Sequence, residues 1–389
     1  MQYIFLIFMP FALWATDLNT LFEKVQESNL YKGYSENIDA TMQGEKSSMI
    51  EDSWSIGASV GYADVRDTAD SATEFELSIS RNFQFNSSKI DNFLQTNQRY
   101  ALLQKEIEKN RLKVKLWQLY GMYCINMKAL QAKGELSSVY DEIRLQIEKG
   151  VEYGEFDTSK AIMAKLSLDN LNLQISKLDN LVQDYESQIK SIVAYNSSLE
   201  CKEQKPDIYK LFNPENSVLE PLLQTKIEQK KYKLSLAAKN FSSVEVGASY
   251  ANEIDTDRYM INLSFPLALG EKNQAQQVAA LHQLSASNYE LEAFRNSYIH
   301  NTSTLENRLE IYTKYLSSTE NSIMKLSNVL IKQSNMRFRA GEDSFISMLK
   351  ATETKAQMIE SILDLKIDRH NAVAKYMYDY AIDPQGVIK

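Results

Sequence analysis

Residues 54–62 read W-S-I-G-A-S-V-G-Y, in which apolar side chains alternate with very small ones. Successive side chains of a β-strand point to opposite faces, so this strand would have one apolar face and one nearly bare face. Trp54 and Tyr62 place an aromatic ring at each end of the apolar face. This pattern is typical of a strand that crosses a membrane in a barrel, and also of a half-exposed strand in a soluble sheet. A single strand does not decide between them.

The alternation occurs four times, which favours the membrane barrel. Predicted strands cover about 53–63, 74–85, 243–252 and 258–267. The residues predicted to face lipid are Trp54, Ile56, Val60, Tyr62, Phe75, Leu77, Ile79, Val244, Val246, Tyr250, Tyr259, Ile261, Leu263 and Phe265. On the other face, Glu74, Glu76 and Glu245 would make a water-filled bore attractive to cations. Four strands are too few to close a barrel, so two chains would supply eight strands or three chains twelve.

The rest of the chain predicts long helices. Residues 155–205 and 271–340 contain no glycine or proline, and a tract of about 70 helical residues would be roughly 100 Å long. Apolar residues follow a regular 4-3 spacing in the first tract, which predicts helices packed side by side. This seam consists of Ala164, Leu168, Leu171, Ile175, Leu178, Val182, Tyr185, Ile189 and Ile192.

Composition and motifs argue against several classes of function. The net charge is −8, so no basic surface indicates a nucleic-acid partner. The three histidines do not form a set with metal-ligand spacing, and no catalytic triad or phosphate-binding loop is visible. We therefore expect neither an enzyme nor a protein with a cofactor or metal.

Residues 1–15 resemble a signal peptide, with a short apolar core and the sequence A-L-W-A before the expected cleavage point. The alternative is a buried N-terminal strand. Export would expose Cys124 and Cys201 to an oxidising compartment. If both cysteines lie on one helical hairpin that turns at Gly154, their positions along the hairpin axis differ by 17 residues, or about 25 Å. We therefore expect Cys124 to be a free, buried thiol.

The chain is internally duplicated. Similar segments recur with offsets of 184 to 188 positions, including Y-G-E-F-D at 153–157 and A-G-E-D-S at 340–344. The expected organisation is a first repeat at 16–205, a proline-containing connector at 206–222 and a second repeat at 223–389. Each repeat would contain two strands and a helical hairpin, with the hairpins turning at 150–157 and 338–344.

These features resemble the TolC family of outer-membrane efflux and secretion channels. F-P-L-A-L-G at 265–270 is similar to the family's strand-to-helix stretch, and R-F-R-A-G at 337–341 followed by M-L-K-A at 348–351 is similar to its periplasmic turn. The resemblance implies a mainly α protein with β, in which a homotrimer forms a 12-stranded outer-membrane β-barrel from four strands per chain. The barrel would continue into a long periplasmic α-helical barrel. Residues 18–30, 207–222 and those after Tyr380 would surround its middle.

The resemblance also implies a function and site residues. The protein would be the exit duct of a tripartite efflux pump or type I secretion system, in contact with outer-membrane lipid, a periplasmic adaptor and, through the adaptor, an inner-membrane transporter. The residues expected to contact the adaptor are Tyr153, Gly154, Glu155, Phe338, Arg339, Gly341 and Glu342. The gate candidates are Lys160, Asp343, Ser347 and Lys350.

Two alternatives stay open at this point. Some family members have acidic residues six and nine positions after the second turn glycine, where this chain has Ser347 and Lys350. The gate candidates Lys160 and Lys350 could then belong to the solvated helix surface rather than to a gate. The chain could also be a periplasmic coiled-coil adaptor or structural spacer, although two hairpins and two pairs of strands argue against that function.

Overall fold

The computed structural model describes residues 16–49, 54–64, 71–85, 87–195, 197–202, 204–237, 243–253, 256–265, 271–340 and 345–388. The predicted signal peptide at 1–15 lies outside these ranges. The chain divides into two compact units. We call Met1–Gly33, Ile107–Val218 and Ser297–Lys389 the helical unit, and Tyr34–Glu106 and Leu219–Asn296 the strand-bearing unit.

The strand-bearing unit contains one antiparallel sheet in the order β1-β2-β3-β4. Its strands are β1 (Trp54–Asp64), β2 (Ser71–Gln84), β3 (Ser243–Glu253) and β4 (Thr256–Ser264). The two halves of the chain meet in this sheet, because β2 pairs with β3 and Leu77 lies opposite Tyr250. The prediction of four strands per chain is confirmed. Strands β1 and β4 are the edges of the sheet.

Helices make up most of the remaining chain. The four long ones are α3 (Ser87–Glu152), α4 (Thr158–Ile192), α7 (Glu271–Arg339) and α8 (Phe345–Asp379). The shorter ones are α1 (Leu18–Glu23), α2 (Asn29–Met49), α5 (Ile208–Leu211), α6 (Leu219–Ala237) and α9 (Pro384–Val387). None of the described helices combines the length and apolarity needed to cross a bilayer.

The 4-3 seam of α4 packs as its spacing predicts. Ala164, Leu168, Leu171, Leu178, Val182 and Ile189 are buried. The first three join one apolar cluster with Leu136, Tyr140, Ile143 and Ile147 of α3 and Phe345, Met348, Leu349 and Ile359 of α8. The helical unit is therefore held together by contacts among three long helices.

The expectation of a free thiol at Cys124 is wrong, because Cys124 and Cys201 form a disulfide with their Cα atoms 5.4 Å apart. The helix does not continue to Cys201: α4 ends at Ile192, and Val193 has an extended backbone. The chain beyond it doubles back to the level of Cys124. Tyr120 of α3 holds this return segment, since its hydroxyl donates to the Glu200 carbonyl and accepts from the Lys202 N–H.

The end of the chain packs against the connector and α3 within the helical unit. The Asp207 N–H donates to the Val387 carbonyl at 2.8 Å, and the Ser217 hydroxyl donates to the Tyr380 carbonyl at 2.8 Å. The buried Lys113 ammonium of α3 lies 2.9 Å from Asp383 and donates to Gln385 at 2.6 Å. These contacts join segments that are distant in sequence.

Acid should destabilise the helical unit through His370. Its ring lies 4.0 Å from that of Trp117, and Nε2 is 3.0 Å from the Gln118 carbonyl. Burial lowers the pKa of His370 to about 4 from an ordinary value of 6.5. Between these values the unfolded chain binds a proton and the folded chain does not, so stability falls as the pH falls, by about 2–3 kcal/mol at pH 4.5.

Comparison with His370→Gln checks this prediction. The amide of glutamine can still donate a hydrogen bond but does not titrate. Denaturant midpoints measured at pH 7.5 and pH 4.5 should fall more in the wild-type protein than in the variant. Equal falls in the two proteins would contradict a role for His370 in acid sensitivity.

Candidate functional site: the sheet faces and the helical turns

One face of the sheet carries the residues predicted to face lipid, and Phe265 directly follows the end of β4. The register places even-numbered residues of β1 and β3 on the same face as odd-numbered residues of β2 and β4, as in the pairs Trp54–Arg81 and Val246–Leu263. Many of these side chains are strongly exposed, with Ile261 at 81%. A row of large apolar side chains in contact with solvent is costly in water, and burial against lipid removes that cost.

The opposite face is polar and more crowded. Ser243, Gly247, Ser249 and Ala251 of β3 are buried, whereas Val246 and Ala248 on the apolar face are exposed. This difference is expected when a sheet curves with its apolar side on the convex surface. The face contains Glu74, Glu76 and Glu245, and the Glu245 carboxylate accepts from Ser80 at 2.5 Å. Arg258 pairs with Glu253 at 3.0 Å, so part of the negative charge is neutralised.

The apolar face ends in polar groups near the β3–β4 connection. The Tyr250 hydroxyl donates to Asp257 at 2.9 Å, and the Asn252 amide donates to the same carboxylate oxygen at 2.8 Å. Tyr250 and Tyr259 lie opposite each other, with their rings 5.1 Å apart. Tyrosines with apolar rings and polar tips suit the boundary between hydrocarbon and water.

The first helical turn connects α3 to α4 in a compact form. Gly154 has φ of +74°, a backbone conformation that strains residues with a Cβ atom. The Gly150 carbonyl accepts from the N–H groups of Glu155 and Phe156 at 2.8 and 3.2 Å. A Cβ atom at Gly150 would lie 2.2 Å from the Phe156 ring, so the close contact between ring and helix needs glycine there. Both glycines thus determine the shape of this turn.

Side chains around the first turn separate into exposed and anchored groups. Tyr153 is 80% exposed, and Glu155 is exposed beside it. Asp157 caps α4 by accepting from the Ser159 N–H and hydroxyl, and these hydrogen bonds lower the pKa of its carboxyl group. The Lys160 ammonium lies 5.1 Å from the centre of the Phe156 ring. Lys160 is therefore anchored at the turn by a cation–π contact.

The end of α7 lies next to the first turn through an aromatic pair. Phe338, near the end of α7, stacks with Phe156 at a ring distance of 6.0 Å. Arg339 is exposed, and α8 begins at Phe345, which is buried. Gly341, Glu342 and Asp343, which the sequence predicts to contact the adaptor or to gate, lie outside the described residues.

The other gate candidates occupy the start of α8. Ser347 is half-buried and Lys350 is exposed. Lys350 lines a groove of about 310 Å³ between α4 and α8, together with Met163, Leu166, Ser167, Ile346, Leu349 and Glu353. The Ser167 hydroxyl donates to Glu353 at 2.9 Å across this groove. Lys350 thus lies beside an acidic group, whereas Lys160 lies at the turn.

Sequence reasoning missed two features of these sites. Phe156 and Phe338 are 182 positions apart in sequence, and no local sequence pattern indicates that their rings are in contact. Arg81 is the second feature, since it interrupts the apolar face of β2 between Ile79 and Phe83. Continuing the two-residue alternation of β2 beyond Ile79 would have placed it on that face.

A single chain with a four-stranded antiparallel sheet and two long helical hairpins has the fold of the TolC family of outer-membrane channels. The resemblance found in the sequence is confirmed at the level of the fold. The outer membrane protein VceC from Vibrio cholerae superposes with a TM-score of 0.77 at 10% identity, covering 94% of this chain and 96% of that chain.

Solved outer-membrane channels from other bacteria share the fold of this chain. The Campylobacter jejuni CmeC channel matches with a TM-score of 0.73 and 14% identity over 94% of this chain and 85% of its own. The Neisseria gonorrhoeae MtrE channel matches with a TM-score of 0.69 and 10% identity over 94% and 89%. No protein-family model and no curated protein sequence matches the chain. These identities are low, so the similarity lies in the fold.

Proposed function

We propose that this protein is an outer-membrane channel that conducts substrates passively from a periplasmic adaptor and inner-membrane transporter to the outside. The observation that carries this proposal is the sheet, which has one exposed apolar face and an opposite polar face. An apolar outer surface with a polar interior is the arrangement of a membrane barrel that surrounds water. The two long helical hairpins of the same chain would then extend the channel into the periplasm.

The open edges of the sheet support a shared barrel. Within the described part of the single chain, β1 and β4 each pair with one neighbouring strand. Unpaired backbone groups are not tolerated in hydrocarbon, so β1 of one copy would pair with β4 of the next. Three copies, as the TolC-like fold implies, would give twelve strands. The protein would thus act as a homotrimer.

The disulfide supports an exported protein. Cys124 and Cys201 are bonded, and such bonds persist mainly outside the reducing cytosol. This agrees with a helical unit in the periplasm and with the sheet of the strand-bearing unit in the outer membrane. The signal peptide predicted at 1–15 would direct the export.

Conductance in planar bilayers tests the proposed function. The purified full chain should insert and give discrete current steps, because a barrel lined with Glu74, Glu76 and Glu245 would be filled with water. A protein that stays in the periplasmic extract and gives no current steps would contradict the proposal. That result would favour the coiled-coil adaptor or spacer.

The first turn should be needed for export. In Gly154→Val, a β-branched residue would occupy a left-handed backbone position at a cost of about 1–2 kcal/mol, so the turn would change shape while the trimer stays folded. We expect loss of export, because an adaptor would no longer fit the turn. Growth is measured with the toxic compounds to which deletion of the gene sensitises cells.

Gly134→Val is the matched control, since Gly134 lies inside α3 and a Cβ atom added there would meet nothing within 4 Å outside the backbone of its own helix. This variant should retain export at similar protein abundance. Full export by Gly154→Val would contradict a functional role for the turn. Loss of export in both variants would indicate a general effect on α3 instead.

The gate assignment predicts a change in ion selectivity. If Lys350 lines the constriction, three copies would form a positive ring that favours anions. Lys350→Asp should therefore shift the reversal potential of single channels toward cation selectivity, and Lys350→Gln should give an intermediate value. Reversal potentials that do not move in either variant would place Lys350 on the outer surface of the helices.

A further inference from the structure

The return segment, residues 197–202, is bound to α3 by hydrogen bonds that do not involve sulfur. The Tyr120 hydroxyl donates to the Glu200 carbonyl and accepts from the Lys202 N–H at 3.0 Å. These two backbone groups lie directly before and directly after Cys201. One side chain of α3 therefore fixes the backbone on both sides of this cysteine.

The same face of α3 carries the second cysteine. Tyr120 and Cys124 are four residues apart, so they are neighbours on the helix surface. By holding the backbone of Cys201, Tyr120 places that residue one turn from Cys124, and the Cα atoms of the two cysteines are 5.4 Å apart. Burial raises the pKa of Tyr120, so its hydroxyl stays protonated and can donate at neutral pH.

The N-terminal segment provides a second anchor for the return segment. The Thr16 N–H donates to the Ser198 carbonyl at 2.9 Å, and the Glu200 N–H donates to the Thr16 carbonyl at 3.1 Å. Leu199, between the two bonded residues, is buried. None of these contacts requires the cysteines to be oxidised, so they are available to a chain with free thiols as well.

The two cysteines differ in their access to solvent. Cys124 is buried, whereas Cys201 is half-buried. Thiol–disulfide exchange begins with the attack of an accessible thiolate on a disulfide. Cys201 is therefore the better placed of the two to react with a molecule from outside, and Cys124 is placed to react with Cys201.

We propose that Cys124 and Cys201 form a pre-positioned dithiol site, with Tyr120 as its positioning residue and an external disulfide as its oxidant. The Cys201 thiolate attacks one sulfur of that disulfide, which forms a mixed disulfide and releases one external thiolate. The Cys124 thiolate then attacks the Cys201 sulfur, which closes the internal bond and releases the second external thiolate. Two protein thiols are oxidised, and their two electrons reduce the external disulfide to two thiols.

The bond would then lock a structure that has already formed. The return segment lies against α3 and the N-terminal segment before the sulfurs join, and oxidation fastens these three parts of the helical unit together. The site requires neither a barrel nor a trimer, so its failure would leave the proposed channel function untouched.

The equilibrium with glutathione tests the pre-positioning. The purified full chain in detergent is equilibrated with mixtures of reduced and oxidised glutathione, and the fraction with a closed bond gives the effective concentration of the two thiols. This value should be roughly a hundredfold higher in the folded wild-type protein than in the same protein in denaturant. Equal values in the folded and the denatured protein would overturn the site.

Variants separate positioning from a general effect on the fold. Tyr120→Phe removes both hydrogen bonds to the return segment, so the effective concentration in the folded protein should fall by about tenfold. Tyr123→Phe is the matched control, because Tyr123 is buried next to Cys124 but the Glu200 carbonyl and the Lys202 N–H bond to Tyr120. It should keep the wild-type value. An unchanged value in Tyr120→Phe, or an equal fall in Tyr123→Phe, would overturn the positioning role.

Single cysteine variants test the order of the two attacks. Each reduced variant is mixed with oxidised glutathione, and the mixed disulfide is followed by mass spectrometry. Cys201 in Cys124→Ser should react about tenfold faster than Cys124 in Cys201→Ser, because Cys201 is the more accessible thiol. Equal rates, or a faster reaction of Cys124, would overturn the assignment of Cys201 as the first to attack.

Discussion

Ile261→Arg should almost abolish assembly of the proposed trimer in the outer membrane. Ile261 is 81% exposed on the apolar face of β4 and lies opposite Ala248 of β3. An arginine on the lipid face near the bilayer midplane costs about 2–4 kcal/mol, and a trimer would contain three of them. The measurement is the amount of trimer in outer-membrane fractions, read from gels run in mild detergent.

Asn262→Arg is the matched control for this experiment. Asn262 is the next residue of β4, so its side chain lies on the polar face. The same arginine would then face water, and assembly should stay close to that of the wild-type protein. Val60→Arg and Ser59→Arg repeat the comparison on β1. Equal yields of trimer within these pairs would contradict the assignment of the two faces.

Removal of the disulfide should cause a large loss of stability in the helical unit. Cys124 and Cys201 are separated by 77 positions, and closing a loop of that size in the unfolded chain corresponds to about 4 kcal/mol. The double variant Cys124→Ser, Cys201→Ser removes the bond without leaving a reactive thiol. Its denaturant midpoint in detergent should be clearly lower than that of the oxidised wild-type protein.

Reduction of the wild-type protein provides the control. A reductant should lower the midpoint of wild-type protein by a similar amount and have no further effect on the double variant. Identical midpoints for the oxidised wild-type protein and the double variant would contradict a stabilising role for the bond.

Local patterns predicted most of the fold. The alternation from Trp54 to Tyr62 requires only a two-residue period, and the seam from Ala164 to Ile192 requires only 4-3 spacing. Both patterns depend on neighbours along one element, so the sequence contains them completely. The same reasoning failed for Cys201. The estimated distance between Cys124 and Cys201 along the hairpin axis assumed that α4 continues beyond Ile192. Helix ends depend on local capping and tertiary contacts, which periodicity does not report.

The candidate sites were less predictable because they combine distant segments. The Phe156–Phe338 stack joins the first turn to the end of α7, and the ring contact of Arg81 with Trp54 joins β2 to β1. Tyr153, which the family resemblance assigns to the adaptor contact, is exposed at the first turn. The role of Lys350 depends on neighbouring copies of the chain, so its assignment to a gate stays a prediction.

Cross-linking of the sheet edges tests the central claim most directly. The claim is that three copies share one barrel, with β1 of one copy next to β4 of another. A variant with Ser59→Cys on β1 and Asn262→Cys on β4 is treated in outer membranes with a flexible bis-maleimide. The account predicts covalent dimers and trimers and nothing larger, whereas either single variant gives no trimer. A product that stays monomeric, or a series of bands that extends beyond three copies, would contradict the shared barrel.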